Sequence, residues 1–325
     1  MRSKIFVIYS LTFDICSLNK GLWFVVGYWV IKFVSKVLCC LPVSWQQKIG
    51  NILGNIAVKF CPSWRMDMAR ANIRECLGLD KNEADRIAKE SVKRFGRMAV
   101  EVLCFPNLNK NNILDHVELE GIEHLKAAHS LDKGVVMVTG HFGNWEMLGA
   151  IVGLLGYPLL SIVRHQNQGS MNRLINEYRE MVGQAIAYNR GENNLLQVVR
   201  MLKTKKVIGI LYDQDTNDIG VKLDLFGKTC IVPDGAVALS RINKAPIVPI
   251  FIHNRNDGKF KVKIYSALTC ESKNEYDEIM RKLVDILEQE VREDPTMWFW
   301  VHDRWKDGHQ RFDRNYKERK HKHRH

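Results

Sequence analysis

Along the chain the apolar positions follow three successive patterns. Residues 21–43, GLWFVVGYWVIKFVSKVLCCLPV, are almost continuously apolar and carry no charge from Gly21 to Ile31, before Lys32 and Lys36. The stretch is short for an unbroken span, although snorkelling lysines extend it to about 20 residues. With Trp23, Tyr28 and Trp29 it predicts a membrane anchor or interfacial helix over residues 1–43, a buried core helix being the alternative. Residues 44–110 then take up the helical period. Trp45, Ile49, Ile52, Ile56 and Phe60 share one face behind a Ser44–Gln47 capping box. Ser63 is placed to cap a second helix ending near Gly78, and Asp80 with Glu83 a third that runs to Phe105.

After Asn111 short apolar runs alternate with helical periods. HVELEG, GVVMVTG, PLLSIVR, QAIAY and VIGILYD predict strands, separated by helices over 122–130, 144–156, 170–183 and 192–206. Strands joined through helices by short connections imply an α/β fold, a mostly parallel central sheet flanked by helices. VKLDLFGKTCIVP predicts a loop or hairpin, DGAVALSRIN a helix, PIVPIFIHN and KFKVKIYSAL two strands, and residues 274–294 a long helix. The organisation expected is an anchor (1–43), one catalytic domain (44–310, helical to about 110 and α/β after), and a basic tail (311–325) with no apolar face.

Composition narrows the partners. The formal charge of +12 over 325 residues favours anionic company, whether nucleic acid, acidic headgroups or an acidic carrier protein. No nucleic-acid-binding module is visible, nor aromatics interleaved with basic residues in a groove, so nucleic acid is not expected. The eight cysteines form no CxxC pair and fit reduced packing residues on the cytoplasmic side. The closing HKHRH lacks a carboxylate or cysteine framework, and no metal or other cofactor is expected.

The chemistry concentrates in VTGHFGNWEMLG, residues 138–149. On one continuous helix His141 and Glu146 would point about 140° apart, so they meet only if a helix begins between them. Asn144 suits that N-cap, and Gly143 permits the turn. Glu146 in the first helical turn would then accept a hydrogen bond from one imidazole nitrogen, leaving the other as a general base at the carboxyl end of a parallel strand. A satisfied histidine at a strand end fits the same spacing. With no G-x-S-x-G elbow and no cysteine beside His141, such a base would deprotonate an external alcohol for direct attack on an activated acyl group. Arg164, at the end of the next strand, could hold Glu146 or a phosphate in a bidentate grip, or lie on the surface. Asp213 suits a turn or a polar substrate contact. Trp298, Trp300 and Trp305 fit core packing or a lipid-facing cluster; His302, Arg304 and Lys306 fit phosphate contacts or a solvated rim.

GHFGNWE, IVRHQN (162–167), LYDQD (211–215), LFGK (225–228), IVPDGAVALSRINKAPIVPIF and WFWVHDRWK occur in this order. From about residue 22 to residue 306 the chain thereby resembles the late acyltransferases of lipid A biosynthesis, the lauroyl and myristoyl transferases, within the membrane acyltransferases that carry a His-x4-Asp/Glu motif. The resemblance implies a glycerol-phosphate-acyltransferase-like fold. It implies transfer of a fatty acyl chain from acyl carrier protein to a hydroxyl of a phosphorylated, Kdo-bearing lipid A precursor, at the cytoplasmic face of the inner membrane. It maps His141 onto the family's base, Glu146 onto its orienting carboxylate, Arg164 onto a site arginine and Asp213 onto a family motif. The alternatives are another membrane lipid acceptor (a phosphatidylinositol mannoside or a lysophospholipid), a hydrolase using water at the same base, and a noncatalytic lipid-binding protein.

Overall fold

The structure is a computed structural model that describes residues 26–164, 169–189, 198–200, 202–204, 206–214, 220–255 and 257–305. Helix α1 covers described residues 26–39. It is followed by α2 (Val43–Phe60), α3 (Ser63–Leu77), α4 (Lys81–Leu103) and the short α5 (Ile113–His116). The α/β part runs β1 (Val117–Glu120), α6 (Ile122–Ser130), β2 (Val135–Thr139), α7 (Trp145–Leu154), β3 (Leu159–Arg164), α8 (Ser170–Met181), β4 (Gln184–Asn189) and β5 (Val207–Leu211). Beyond these lie β6 (Val221–Leu225), β7 (Lys228–Val232), α9 (Gly235–Asn243), β8 (Ile247–Asn254), β9 (Phe260–Ile264) and α10 (Tyr276–Glu293).

Among the described residues seven strands form one sheet in the order β1-β9-β8-β2-β5-β3-β4, parallel at every pairing except β8 with β9. Alternation along β2 sorts two cores. Val136 and Val138 face one cluster with α9 and α10, while Val135 and Met137 face another with α6, α7 and α8. A sheet covered on both faces explains why β2 up to Val138 and β8 up to Ile252 are continuous apolar runs instead of alternating with polar residues. β6 and β7 form a separate antiparallel hairpin. Its turn residues Phe226 and Gly227 both have positive φ, the backbone that a tight two-residue hairpin turn requires. The helix expected over 192–206 and the basic tail fall mostly or wholly outside the described residues.

Two helix starts differ from expectation. Pro42 and Pro62 hold the cap positions, so α2 begins at Val43 and α3 at Ser63, and neither uses a serine side-chain cap. Proline's fixed φ and missing N–H suit that position. Asp80 caps α4 as expected, accepting from the backbone N–H of Asn82 and Glu83. Among the described residues no helix is long and apolar enough to cross a membrane. Instead α1 packs on the domain. Tyr28 and Leu38 are buried, Ser35 Oγ lies 2.6 Å from Tyr178 Oη, and Lys32 Nζ lies 2.6 Å from Glu177.

Candidate active site

β2 and β5 are neighbours whose parallel register pairs Thr139 with Leu211. Two residues past that pair, at the carboxyl ends of the two strands, stand His141 and Asp213. Equal offsets from a paired position bring them face to face. His141 Nδ1 lies 2.7 Å from Asp213 Oδ1, and the His141 backbone N–H donates to Asp213 Oδ2 at 2.8 Å. The Trp298 indole N–H donates to the same Oδ2, also at 2.8 Å. Asp213 is buried. Burial alone would raise its carboxyl, but the charge and hydrogen bonds of His141, joined by the Trp298 bond, hold it down at about 2. An ionised Asp213 makes Nδ1 the protonated imidazole nitrogen and leaves Nε2 as an acceptor.

The turn that carries His141 is fixed from several sides. Phe142 bridges Trp298 in antiparallel fashion, Gly143 N donates to Met297 O at 2.9 Å, and Phe299 N donates to His141 O at 3.1 Å. Gly143 has φ +58°, and a Cβ there would lie 2.1 Å from Ile252 O, so only glycine fits. Asn144 caps α7 as expected, its side-chain oxygen accepting from Met147 N at 2.9 Å. Half-buried Glu101 in turn holds the Asn144 amide, Nδ2 to Oε2 at 2.6 Å.

Glu146 does not meet His141. Its carboxylate is gripped side-on by Arg179 of α8, Nε to Oε2 at 2.8 Å and Nη2 to Oε1 at 2.5 Å. The reason is rotational. Trp145, the first helical residue, lays its ring 4.9 Å from that of His141, and the next residue points about 100° away around the axis, toward α8. By geometry Asp213 stands where Glu146 was expected beside His141, and Arg179 holds Glu146 in a bidentate grip, while the side chain of Arg164 lies outside the described residues. Both partners of the ion pair are largely buried, so breaking it strands a charge. Glu146→Gln should therefore destabilise the fold by about 1–3 kcal/mol. A double-mutant cycle with Arg179→Gln should show a coupling of about 1 kcal/mol or more in denaturant midpoints, whereas additive losses would mean the two do not cooperate.

His141 is partly exposed and lines an open pocket with Ser91, Arg94, Phe95, Trp145 and Phe299. Its Nε2 makes no hydrogen bond among the described residues. The pocket wall is aromatic: Phe95 and Phe299 are 4.8 Å apart, centroid to centroid, and Phe95 and Trp145 6.0 Å. Arg94 anchors the rim by donating to Thr296 O at 2.9 Å and Thr296 Oγ1 at 2.8 Å, which fixes the approach to Trp298. Such a site offers a base in an apolar cleft. Among the described residues no group of three or more His, Cys, Asp or Glu is placed to hold a metal ion.

The remaining predicted site residues are dispersed. Arg164 ends β3 in register with Asn189, and its side chain lies outside the described residues, as does Lys306. Arg304 is buried at 3% exposure and bonds to Ile231 O, so it does not form a solvated rim. Trp298, Trp300 and Trp305 are buried in the core. The sequence reading missed Trp298 as a partner of Asp213, and Arg179 altogether.

Residues 17–307 match the family of bacterial lipid A biosynthesis acyltransferases. The chain is 24% identical over 286 residues to the lipid A biosynthesis palmitoleoyltransferase of Escherichia coli (strain K12), covering 86% of this chain and 92% of that protein. It is 25% identical over 245 residues to the phosphatidylinositol mannoside acyltransferase of Mycobacterium tuberculosis (strain ATCC 25618 / H37Rv), covering 74% and 77%. Comparison with the crystal structure of the 1-acyl-sn-glycerophosphate acyltransferase PlsC from Thermotoga maritima gives a TM-score of 0.39 at 16% identity, over 78% of this chain and 99% of that one. With a match that spans most of its length, the chain belongs to the bacterial lipid A biosynthesis acyltransferase family.

Proposed function

We propose that this acyltransferase moves a fatty acyl chain from acyl carrier protein to a hydroxyl of a Kdo-bearing lipid A precursor. The observation that carries the chemistry is His141 Nδ1 bound to a buried carboxylate, with Nε2 left open toward an aromatic pocket. Nε2 takes the proton of the acceptor hydroxyl as its oxygen attacks the thioester carbonyl. The tetrahedral intermediate collapses, the C–S bond breaks, and the departing thiolate recovers the proton from the imidazolium. The products are an oxygen ester and a free carrier thiol. Asp213 favours the imidazolium and fixes the ring, while Glu146 acts as a positioning residue through Arg179. The family match and the +12 charge support an anionic glycolipid acceptor and an acidic carrier. The mycobacterial relative favours a second reading, the same transfer to a mannosylated phospholipid.

Isotope-labelled acyl donor offered with each acceptor in turn tests this. Mass gain of the lipid A precursor by one acyl chain supports the proposal. Gain only on the mannosylated lipid or a lysophospholipid moves it to the second reading, and free fatty acid alone makes the protein a hydrolase.

The place of work proposed is the cytoplasmic face of the inner membrane. While α1 buries one side, it leaves Trp29, Val30 and Phe33 exposed, and α2 leaves Trp45, Ile52 and Phe60 exposed. Neither 26–39 nor α2 contains an acidic residue, and together they carry Lys32, Lys36, Lys48 and Lys59. Apolar side chains flanked by lysines suit an anionic lipid surface. Trp29→Glu with Phe33→Glu, both on the exposed side, should weaken binding to phosphatidylglycerol-containing vesicles by more than about tenfold, given the apolar area withdrawn from lipid. Unchanged cosedimentation would remove α1 from the contact.

A further inference from the structure

Arg304 is an arginine with at least three of its five N–H donors unmatched among the described residues. Nη1 donates to Ile231 O of β7 at 2.7 Å. Nε and Nη2 are buried and have no hydrogen-bond partner among the described residues. A guanidinium remains charged at every pH the protein meets, and leaving its donors dry and unmatched is costly. Two residues earlier His302 Nε2 is likewise buried without a partner among the described residues. Burial holds His302 down at about 4, so the ring is neutral near pH 7. The backbone closes these two into one tight turn, Arg304 N donating to His302 O at 2.9 Å.

The geometry of the idle donors identifies what they would take. Nε and Nη2 form one edge of the guanidinium, and the same two nitrogens of Arg179 grip both oxygens of Glu146. The open edge of Arg304 is thus shaped for two oxygens on one centre. The place is adjacent to the chemistry: the His302 ring stacks on Phe299 at 6.4 Å, and Phe299 lies 6.3 Å from His141. Both His302 and Asp303 are only partly buried, so the turn that carries Arg304 reaches solvent. A carboxylate has only the two oxygens that such an edge takes, whereas a phosphate offers a third to the unmatched His302 Nε2 of the same turn.

We propose that the Nε–Nη2 edge of Arg304, with His302 Nε2, forms a phosphate subsite bordering the His141 pocket. The phosphate belongs either to the acceptor glycolipid or to the phosphodiester that links a carrier's prosthetic arm. The second half of the test rests on the acyl-transfer reading above; the first half does not.

Thermal denaturation of the full chain is followed against inorganic phosphate, with ionic strength held constant by chloride. Wild type should gain melting temperature as phosphate rises, by mass action on the folded state. Arg304→Met should show no phosphate response and, without phosphate, be at least as stable as wild type, because an apolar side chain of similar length replaces an unmatched charge. Arg304→Lys keeps the charge without the fork and should lose most of the response. A wild type indifferent to phosphate, or an Arg304→Met protein with an undiminished response, overturns the subsite. In turnover assays Arg304→Lys should raise KM by about tenfold or more for one substrate. A rise for the phosphorylated acceptor, absent with its dephosphorylated form, assigns the phosphate to the glycolipid. A rise for the carrier-linked donor assigns it to the arm, and no rise for either contradicts the proposal. Because the phosphate response is read without turnover, failure of the subsite leaves the acyl-transfer reading standing, and absence of turnover leaves the subsite standing.

Discussion

His141→Ala lowers acyl transfer by about 10²–10⁴-fold, the loss expected when a positioned general base is removed. Folding should survive. The His141 side chain is partly exposed, and Asp213 keeps two of its three donors: the Trp298 indole at 2.8 Å and the backbone N–H at position 141. In the proposed transfer the departing thiolate takes its proton from the same imidazole, so attack and departure should both be impaired. Turnover with purified protein, normalised to the folded fraction from circular dichroism, checks this. A folded His141→Ala protein with near-normal turnover would require another base.

Asp213→Asn comes close to the same loss by a different route. Three N–H groups converge on the two carboxylate oxygens, so an asparagine amide must set its own NH₂ against at least one of them. With the amide oxygen in the Oδ2 position, it satisfies both the backbone and Trp298, and its NH₂ then faces Nδ1. The imidazole answers by moving its proton to Nε2, and the base is lost. A catalytic aspartate replaced by asparagine beside a serine-protease histidine costs about 10⁴ in this way, and a loss on the order of 10²–10⁴ is expected here. Stability should also fall, by about 1–3 kcal/mol, for imperfectly matched buried donors. The pH sign follows from the depressed carboxyl: its stabilisation is complete above the ordinary aspartate range near 4 and is lost as pH falls toward about 2. Between pH 4 and 2 the asparagine variant should lose less stability than wild type in urea titrations, and parallel losses would contradict the assignment.

Much of this architecture was legible in the pattern of residues, and the dyad was not. The runs GVVMVTG and VIGILYD mark β2 and β5, and Asp80 and Asn144 cap the helices that follow them in sequence as their side chains suggest. Local chemistry therefore reads well. The proline starts of α2 and α3 were overlooked because Ser44 and Ser63 offered a more familiar cap. Glu146 was expected to meet His141 because a helix capped by Asn144 sets it in the first turn just past the histidine, where the family motif also maps the orienting carboxylate. The real partner is 72 residues away, and β3 and β4 intervene between β2 and β5 in sequence although β2 and β5 are adjacent in the sheet. Strand order is a property of packing, which composition and period leave open. One signal was nevertheless present: His141 and Asp213 each stand just past an apolar strand, where parallel sheets collect their functional groups. Trp298 was harder still, since nothing in WFW distinguishes an indole that bonds a carboxylate from one that only fills the core.

The most direct test compares Asp213→Asn with Glu146→Gln in one assay, with the same acyl donor and acceptor and each rate divided by the folded fraction. If Asp213 orients and charges His141 while Glu146 only ties α7 to α8 through Arg179, the asparagine variant loses on the order of 10²–10⁴ in turnover and the glutamine variant far less. Near-normal turnover for Asp213→Asn, with the large loss falling on Glu146→Gln, would return the role of partner to Glu146 and contradict the account.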